Sequence, residues 1–234
     1  MKEIITGDGS LTFLSDKYNE TYHSTSGAEE EAVKKYAEPT GVLDMADKRV
    51  REGKEGVIRV LDICFGFGYN SAAIIDYAKR GNPDCKVEIV ALENDKKLLD
   101  TIQNLNPSFQ SYYLIKALKS GRGKVNQDNV SIKHITGDAR EEVKKLDNES
   151  FDICLFDPFS PRTQPEMWEE GFFNDIGKKM KVGGVLSTYS CATKVRINLV
   201  RAGFDVKDGP CVGRRSPSTI AFKLNEFGVL PKSI

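Results

Sequence analysis

Residues that build metal sites are scarce in this sequence, and no disulfide pattern replaces them. There are two histidines and five cysteines, and no two cysteines have the C-x-x-C spacing. Structural zinc sites use closely spaced cysteines and histidines, and small secreted domains usually pair an even number of cysteines. We therefore expect neither a metal nor a disulfide framework. Because free thiols suit a reducing compartment, we expect a cytoplasmic protein.

Long apolar runs and an overall excess of one charge are also missing. No run approaches the roughly 20 residues of a membrane-spanning helix, and no charged start precedes an apolar stretch. The 34 basic and 34 acidic residues cancel. From Lys178 to Ile234, however, eleven Lys or Arg accompany three Asp or Glu, a local charge of +8. That region suits either a polyanionic partner or an ordinary solvated surface.

What the sequence does have is an alternation of short apolar runs with segments of helical period. The runs are VIRVLDIC, VEIVALE, VSIKHI, FDICLFD, GGVLSTYS, FDVKD and STIAFKL. This alternation predicts an α/β fold whose seven-stranded, mostly parallel sheet carries helices on both faces. A chain of 234 residues is most simply one domain. We expect its core at 57–234, with an inserted helix and a loop near SGRG within 105–129.

The first 45 residues predict an extension that precedes the core. IITGDGSLTFL indicates two short strands around an Asp-Gly turn. Ser26 and Glu29 have the spacing of a capping box, so we expect a helix that begins at Gly27 and ends at Pro39.

The turn after the first core strand reads DICFGFGYNS, from Asp62 to Ser71. Gly66 and Gly68 allow a tight turn and a close approach of the backbone to a ligand. The third glycine of a dinucleotide turn is missing, which disfavours a nicotinamide oxidoreductase. A purely structural glycine turn stays open at this point.

Three acidic residues follow later strands, where an open parallel sheet binds its ligands. Glu93 can accept ribose hydroxyls or stabilise the next helix. Asp138, beside the backbone of Ala139, can accept from an adenine amino group or cap a helix. Asp157 closes the most apolar strand and is held by a proline-rich loop, which favours a chemical role over helix capping.

These features together resemble a class I S-adenosylmethionine-dependent methyltransferase. FGFGYN, DPFSPRTQPEMW, GGVLSTYSCATKVRINLVRAGF and VGRR, in that order, resemble the methyltransferase half of the bifunctional MnmC proteins. That family makes 5-methylaminomethyl-2-thiouridine at the tRNA wobble position. The resemblance covers nearly the whole chain, including the N-terminal hairpin and helix.

The resemblance implies S-adenosylmethionine as the cofactor and the anticodon stem-loop of tRNA as the partner. Asp157 would lie beside the transferred methyl, where it positions the amine and can accept its proton. The implied cofactor-binding residues are Glu31, Gly66, Gly68, Asn70, Glu93, Asp138, Ala139 and Asp157. The candidates for the base platform are Tyr22, Phe159 and Tyr189, and those for phosphate contacts are Arg162, Lys194, Arg196, Arg201, Arg214 and Arg215. For Arg196 and Arg201 the alternative is a solvated helix face, and for the three aromatic residues it is ordinary core packing.

The sequence departs from the family pattern at three points. Cys64 stands in place of the first glycine of the turn, and DPF stands where some relatives have DGF. About ten residues follow the last predicted strand, so we expect the oxidoreductase half of the family to be absent. We therefore expect methylation of an amine already present on the uridine, with no FAD and no obligate protein partner.

Two other functions stay open. TYHS is weakly similar to aminopropyltransferases of the spermidine-synthase kind, although these favour a turn with three glycines. A non-catalytic tRNA-binding protein on the same fold would be expected to have lost the acids at the strand ends. Trp168 is expected to be a packing anchor and His134 a satisfied strand residue, whereas His23 could contact substrate or hydrogen-bond within a loop.

Overall fold

The computed structural model describes residues 1–51, 56–118 and 123–231. Its strands are β1 (Lys2–Ile5), β2 (Leu11–Leu14), β3 (Val57–Ile63), β4 (Lys86–Glu93), β5 (Lys124–Gln127), β6 (Val130–Thr136), β7 (Phe151–Phe156), β8 (Met180–Thr188), β9 (Phe204–Asp208) and β10 (Thr219–Lys223). Its α-helices are α1 (Ala28–Glu31), α2 (Val42–Arg51), α3 (Tyr69–Gly81), α4 (Leu98–Ile102), α5 (Tyr112–Lys116), α6 (Ala139–Glu142), α7 (Glu170–Lys179) and α8 (Thr193–Arg201).

The described residues form one central sheet with the strand order β5-β6-β4-β3-β7-β8-β10-β9. From β6 to β8 the neighbouring strands are parallel, and β10 is antiparallel to both β8 and β9. The predicted class I fold is confirmed. An eighth strand, β5, was not predicted, because its KVNQ sequence pairs at the sheet edge and buries only Val125.

Burial on both faces of the sheet explains why the central runs are so apolar. All six residues of β7 are buried. One cluster of buried side chains joins the sheet to α2, α3, α5 and the N-terminal segment, and a second joins it to α7 and α8. Parallel strands covered by helices on both faces have this composition. Trp168 packs edge-on against Phe156 in the second cluster.

The N-terminal extension contains the predicted hairpin, in which β1 and β2 are antiparallel. The predicted capping box is wrong. Gly27 is the N-cap without a side-chain bond, and the Ser26 hydroxyl bonds to that of Ser24. The Ser10 hydroxyl accepts from the amides of Ala28 and Glu29 at 3.0 and 3.4 Å. The hairpin therefore caps the helix, which local spacing did not reveal.

The helical segment of the extension changes its geometry twice before it ends. After α1 the chain makes a π-helical segment (Ala32–Ala37) and then a 3-10 turn (Glu38–Thr40). Pro39 lies in that turn, and Gly41 follows it with a φ of +68°. The chain then continues into α2, a helix that the sequence analysis did not anticipate.

The inserted segment contains α5 and then β5. Residues 120–122 of the SGRG stretch, which spans 120–123, lie outside the described residues. No helix within the described residues is both long and apolar enough to cross a membrane.

Candidate active site

A cavity of about 660 Å³ lies at the carboxyl ends of β3, β4 and β7. These strands are adjacent, and the strand order reverses between β3 and β7, where open α/β sheets bind ligands. Residues 15–24 of the extension form another wall. The Glu20 carboxylate accepts from the Ser160 amide at 3.0 Å and from its hydroxyl at 2.6 Å, so it ties this wall to the loop after β7.

The glycine turn connects β3 to α3 beside this cavity. Gly66 has a φ of +58° and lines the cavity. Among the described residues, a Cβ built on Gly66 would meet only Cys64 O at 3.8 Å and Tyr22 Cδ1 at 3.9 Å. Gly68 has a φ of +76°, and its Cβ would lie 2.6 Å from Phe65 Cζ. Gly66 therefore keeps space free beside the cavity, whereas Gly68 is required by packing.

Cys64 has a φ of +64°, a value that a residue with a side chain seldom adopts. The turn therefore keeps the left-handed conformation of a glycine although a cysteine stands there. Its amide donates to Leu92 O at 3.0 Å, which joins the turn to β4.

Glu93 ends β4 as a buried carboxylate in the cavity wall. It accepts from the amide of Gly66 at 3.0 Å and from those of Asn94 and Asp95 at 2.8 and 2.9 Å. Burial raises the pKa of Glu93, and these three bonds oppose the shift. A carboxylate has about four lone-pair sites, so one remains for a ligand hydroxyl.

Asp157 follows β7 and lies in the cavity wall between two donors. The Tyr36 hydroxyl donates to Oδ1 at 2.5 Å, and the Asn70 side-chain amide donates to Oδ2 at 2.9 Å. The two oxygens are thus held from different elements, the π-helical segment and α3. The carboxylate is fixed in orientation and keeps lone pairs for a further donor.

Glu31 and Lys35 form a buried ion pair in the same cavity, with 2.5 Å between Nζ and Oε1. Glu31 Oε2 also accepts from the Ser24 amide at 2.7 Å. The sequence analysis placed Glu31 at the site and missed Lys35 and Tyr36. Their positions carry no distinctive pattern, because only the π-helical segment brings Lys35 to this wall and the Tyr36 hydroxyl to Asp157.

Two other acidic groups near the ends of β3 and β7, Asp62 and Asp157, also have raised pKa values. For Asp157 the largest cause is burial, followed by the negative charge of Glu31, while the bonds from Tyr36 and Asn70 oppose them. Burial also raises the pKa of Asp62 to about 7. Asp62 lies behind the glycine turn, where it accepts from the Ser71 hydroxyl at 2.6 Å. Raised carboxyl pKa values in a cavity are typical of functional sites.

Aromatic rings surround the cavity mouth. The ring centroids of Tyr22 and Phe159 are 5.1 Å apart, and those of Tyr18 and Phe159 are 4.6 Å apart. Tyr189 also lines the cavity and donates to Pro158 O at 3.1 Å. The Trp168 indole donates to Phe159 O at 2.9 Å, which supports this ring from behind.

The two histidines are buried, with 8% of each residue exposed. His23 bonds to the Thr12 hydroxyl at 3.2 Å, stacks on Tyr69 and also lines the cavity. Burial lowers the pKa of His23 to about 4, so it is neutral at neutral pH. His134 lies in β6 against the Phe65 ring, and burial lowers its pKa. Within the described residues, no group of three or more His, Cys, Asp or Glu could hold a metal.

The structure places the predicted site residues in two groups. Those in the cavity wall are Tyr22, Glu31, Gly66, Glu93, Asp157, Phe159, Tyr189 and Arg214. Those outside that lining are Gly68, Asn70, Asp138, Ala139, Arg162, Lys194, Arg196, Arg201 and Arg215. Asn70 reaches the site through its bond to Asp157. The residues of the first group can therefore contact a ligand inside the cavity. Those of the second group lie outside the lining, so a ligand would have to extend beyond the cavity to contact them.

Asp138 caps α6, because its Oδ1 accepts from the Arg140 amide at 2.9 Å. Its side chain is 43% exposed and pairs with the Arg140 guanidinium at 2.6 Å. The hydrogen bond from Arg140 lowers the pKa of Asp138. The capping role is present in the structure, and the adenine role stays a prediction.

The basic residues of the C-terminal region include some that are held by partners on the protein and one, Arg214, that lines the cavity. Arg196 bonds to Asp208, to the Thr219 hydroxyl and to Ser218 O. Contacts with acidic groups or carbonyls also occupy Lys178, Lys179, Lys181, Arg201 and Lys207. Arg214 instead lines the cavity and donates to Tyr189 O. The local charge of +8 therefore overstates the bases available to a polyanion.

Comparison with known proteins shows the family of the chain. A family model described as S-adenosyl-L-methionine-dependent methyltransferase matches residues 100–224. An uncharacterized protein of Methanocaldococcus jannaschii is 31% identical over 95% of this chain and 59% of its own length. The tRNA 5-methylaminomethyl-2-thiouridine biosynthesis bifunctional protein MnmC of Campylobacter concisus is 27% identical over 93% of this chain. The chain spans only 35% of that relative's length.

Among solved structures, the crystal structure of MnmC2 from Aquifex aeolicus superposes with a TM-score of 0.84 and 30% sequence identity. The alignment covers 98% of this chain and 72% of the Aquifex chain. The observed α/β fold thus agrees with the family match. The chain belongs to the family of S-adenosyl-L-methionine-dependent methyltransferases.

Proposed function

We propose that this chain methylates the aminomethyl nitrogen of 5-aminomethyluridine or its 2-thio form at the tRNA wobble position. The product would be the corresponding 5-methylaminomethyl nucleoside. The proposal rests on the observation that two donors hold the Asp157 carboxylate in the cavity wall. A carboxylate held in this way suits an incoming amine. The similarity to the Campylobacter and Aquifex proteins supports the tRNA substrate.

The cavity fits S-adenosylmethionine in charge and in space. Glu31, Glu93 and Asp157 line the cavity and would complement a sulfonium cation. The open space beside Gly66 and the spare lone pair of Glu93 suit the close approach of a nucleoside. Asn70 Oδ1 is buried without a hydrogen-bond partner among the described residues, and it could accept from the amino group of the methionine part.

The proposed cofactor set combines residues at different distances from the cavity. It consists of Glu31, Gly66, Gly68, Asn70, Glu93, Asp138, Ala139 and Asp157. In this assignment Glu93 binds the ribose, and Asp138 with Ala139 binds the adenine. Gly68 contributes by holding the turn, since its own surroundings are filled by Phe65 and Ile115.

Cys64→Gly tests how much the turn depends on its unusual residue. Glycine adopts a φ of +64° freely, which removes a strain of roughly 1 kcal/mol, and the loss of the half-buried Cys64 side chain offsets about as much. We expect the free energy of unfolding to change by less than about 1 kcal/mol, with S-adenosylmethionine affinity within about twofold. Denaturant unfolding and calorimetry measure both. A tenfold loss of affinity would show that the thiol itself contributes to binding.

S-adenosylmethionine supplies, when bound, a methyl group activated by its sulfonium. The substrate amine resembles lysine, with a pKa of roughly 10, so it arrives mostly protonated. Asp157 can accept a hydrogen bond from this ammonium and so fix its direction in the cavity. It can also accept the proton that the nitrogen must lose, and its raised pKa suits that task. Asp157 thus chiefly positions the amine and secondarily takes its proton.

The cavity mouth provides a surface for a nucleobase and its flanking phosphates. A wobble base leaves its stack to enter such a site, and aromatic rings can stack on it. We assign Tyr22, Phe159 and Tyr189 to this platform. The proposed phosphate contacts are Arg162, Lys194, Arg214 and Arg215. Arg196 and Arg201 are less suited, because acidic partners already hold them.

Free thiols at all five cysteines suit the reducing cytoplasm, where tRNA is modified. Methyl transfer to an amine needs neither a flavin nor a metal, so this step can run on the chain's own residues. The uridine must already carry the aminomethyl group when this step begins.

A methylation assay tests the proposal directly. The chain is incubated with methyl-labelled S-adenosylmethionine and tRNA that carries 5-aminomethyluridine, and the nucleosides are analysed by mass spectrometry. We expect labelled 5-methylaminomethyluridine, and no label on the same tRNA without the aminomethyl group. Polyamine formed from a decarboxylated donor and putrescine would instead identify an aminopropyltransferase. Tight tRNA binding without either reaction would identify a non-catalytic binding protein.

A further inference from the structure

Tyr36 contacts the proposed catalytic carboxylate although it lies 121 residues before it in the chain. It is fully buried, at 0% exposure, and belongs to the π-helical segment Ala32–Ala37. Such segments are rare and occur frequently at functional sites. In this chain the segment carries Tyr36 to Asp157 and Lys35 to Glu31.

The bond to Asp157 is the polar contact that the structure gives the Tyr36 hydroxyl, at 2.5 Å. Burial, followed by the charge of Asp157, raises the pKa of Tyr36, so it remains a phenol and donates. Phenylalanine could fill the same volume in the core. The hydroxyl therefore serves Asp157 rather than packing.

Charged and titratable groups reach Asp157 from several elements. Glu31 and Lys35 come from the extension, Asp62 and Cys64 from β3 and the turn, and Tyr189 from the end of β8. Glu31 disfavours the ionised form of Asp157 and Lys35 favours it. Tyr36 and Asn70 are the two side chains that bond to the carboxylate directly among the described residues.

We propose that Tyr36 is a positioning residue for Asp157: its hydroxyl, with the Asn70 amide, fixes the carboxylate plane and leaves the remaining lone pairs facing an incoming amine. Each oxygen of Asp157 has one donor, so the carboxylate cannot rotate without breaking a bond. Loss of the Tyr36 hydroxyl frees Oδ1. The carboxylate then turns and binds its proton more tightly, because a donor to the ionised form is gone.

The kinetic test of this inference rests on the proposed function, whereas the spectroscopic test does not depend on it. In Tyr36→Phe, we expect the pKa of Asp157 to rise by about one unit, measured by NMR titration of ¹³C-labelled aspartate. The Asp157 resonance is assigned from its absence in Asp157→Asn. We also expect kcat at neutral pH to fall about tenfold, with the acidic limb of the pH profile displaced upward by the same unit. The KM for S-adenosylmethionine should stay within twofold.

Tyr77→Phe is the matched control, because Tyr77 also donates to a carboxylate, Glu38 Oε1, at 2.9 Å, but lies away from the cavity. It should leave the Asp157 titration and the pH profile unchanged. Thermal unfolding confirms that each variant folds. If Tyr36→Phe does not fold, NMR of the wild type still decides, since the Tyr36 hydroxyl proton should appear downfield and disappear in Asp157→Ala.

An unchanged Asp157 titration in folded Tyr36→Phe would overturn the inference. So would a loss of kcat with no displacement of the pH profile. A wild-type chain that binds S-adenosylmethionine but methylates no tRNA would instead refute the proposed function. In that case the titration still tests the link between Tyr36 and Asp157.

Discussion

Asp157→Asn is expected to reduce kcat for tRNA methylation by about 10²- to 10⁴-fold, the usual contribution of a group that accepts a proton. An amide cannot take the proton of the substrate ammonium, and it presents one acceptor oxygen instead of two. Affinity for S-adenosylmethionine should stay within a few-fold, because Glu93 and the glycine turn are intact. Single-turnover kinetics and calorimetry measure the two quantities. Turnover equal to that of the wild type would remove Asp157 from the mechanism.

The same substitution should make the protein more stable at alkaline pH. The folded-state pKa of Asp157 is raised, so the folded protein favours the protonated carboxyl. The Asp157 carboxyl therefore contributes most to the free energy of unfolding below the pKa of an unfolded aspartate, about 4. That contribution is lost as the pH rises through the folded-state pKa. Asparagine cannot ionise and avoids this loss. We expect a gain on the order of 1 kcal/mol at pH 8, shrinking toward pH 5.

Denaturant unfolding of Asp157→Asn and wild type at both pH values checks this prediction. Asn70 can rotate its amide and present Oδ1, which has no hydrogen-bond partner among the described residues of the wild type, to the new side-chain amide. Asp152→Asn is the opposite case, because Asp152 bonds to the Arg49 and Lys181 side chains at 2.5 and 2.8 Å. That variant should lose stability at pH 8. A loss in Asp157→Asn as well would show that its carboxylate stabilises the fold.

Gly68→Ala is expected to destabilise the fold by about 2–5 kcal/mol. Its Cβ would lie 2.6 Å from Phe65 Cζ and 2.7 Å from Ile115 Cγ2, both in the buried core. Overpacking of this kind costs roughly 1–3 kcal/mol, and the φ of +76° adds about 1–2 kcal/mol. The free energy of unfolding from denaturant titration measures the effect.

Gly66→Ala provides the comparison, since both glycines have a positive φ in the same turn. Its Cβ has no neighbour closer than 3.8 Å, so we expect a loss of only about 1 kcal/mol. The added methyl lies beside the cavity, so affinity for S-adenosylmethionine should fall about tenfold or more. If Gly66→Ala lost more stability than Gly68→Ala, the roles assigned to the two glycines would be reversed.

Local sequence patterns predicted most of the central sheet and failed where partners are distant. The apolar runs located β3, β4, β6, β7, β8, β9 and β10, because burial between helices imposes a composition that is visible in each run. The predicted capping box at Ser26 was wrong because the hydroxyl of Ser10, in the hairpin, accepts from the Ala28 amide at the start of the helix instead. Nothing in the KVNQ segment distinguishes edge strand β5 from a loop.

The sequence by itself determined the order of the seven predicted core strands and the residues that follow three of them: Gly66, Glu93 and Asp157. It could do so because strand period and turn chemistry depend on neighbouring residues. Only the tertiary structure decided which side chains meet those ends. Tyr36 reaches Asp157 across 121 residues of chain through a π-helical segment that propensity does not encode. Likewise, the pKa of Asp157 depends first on burial, which exists only once the sheet, the extension and the loop after β7 enclose one cavity.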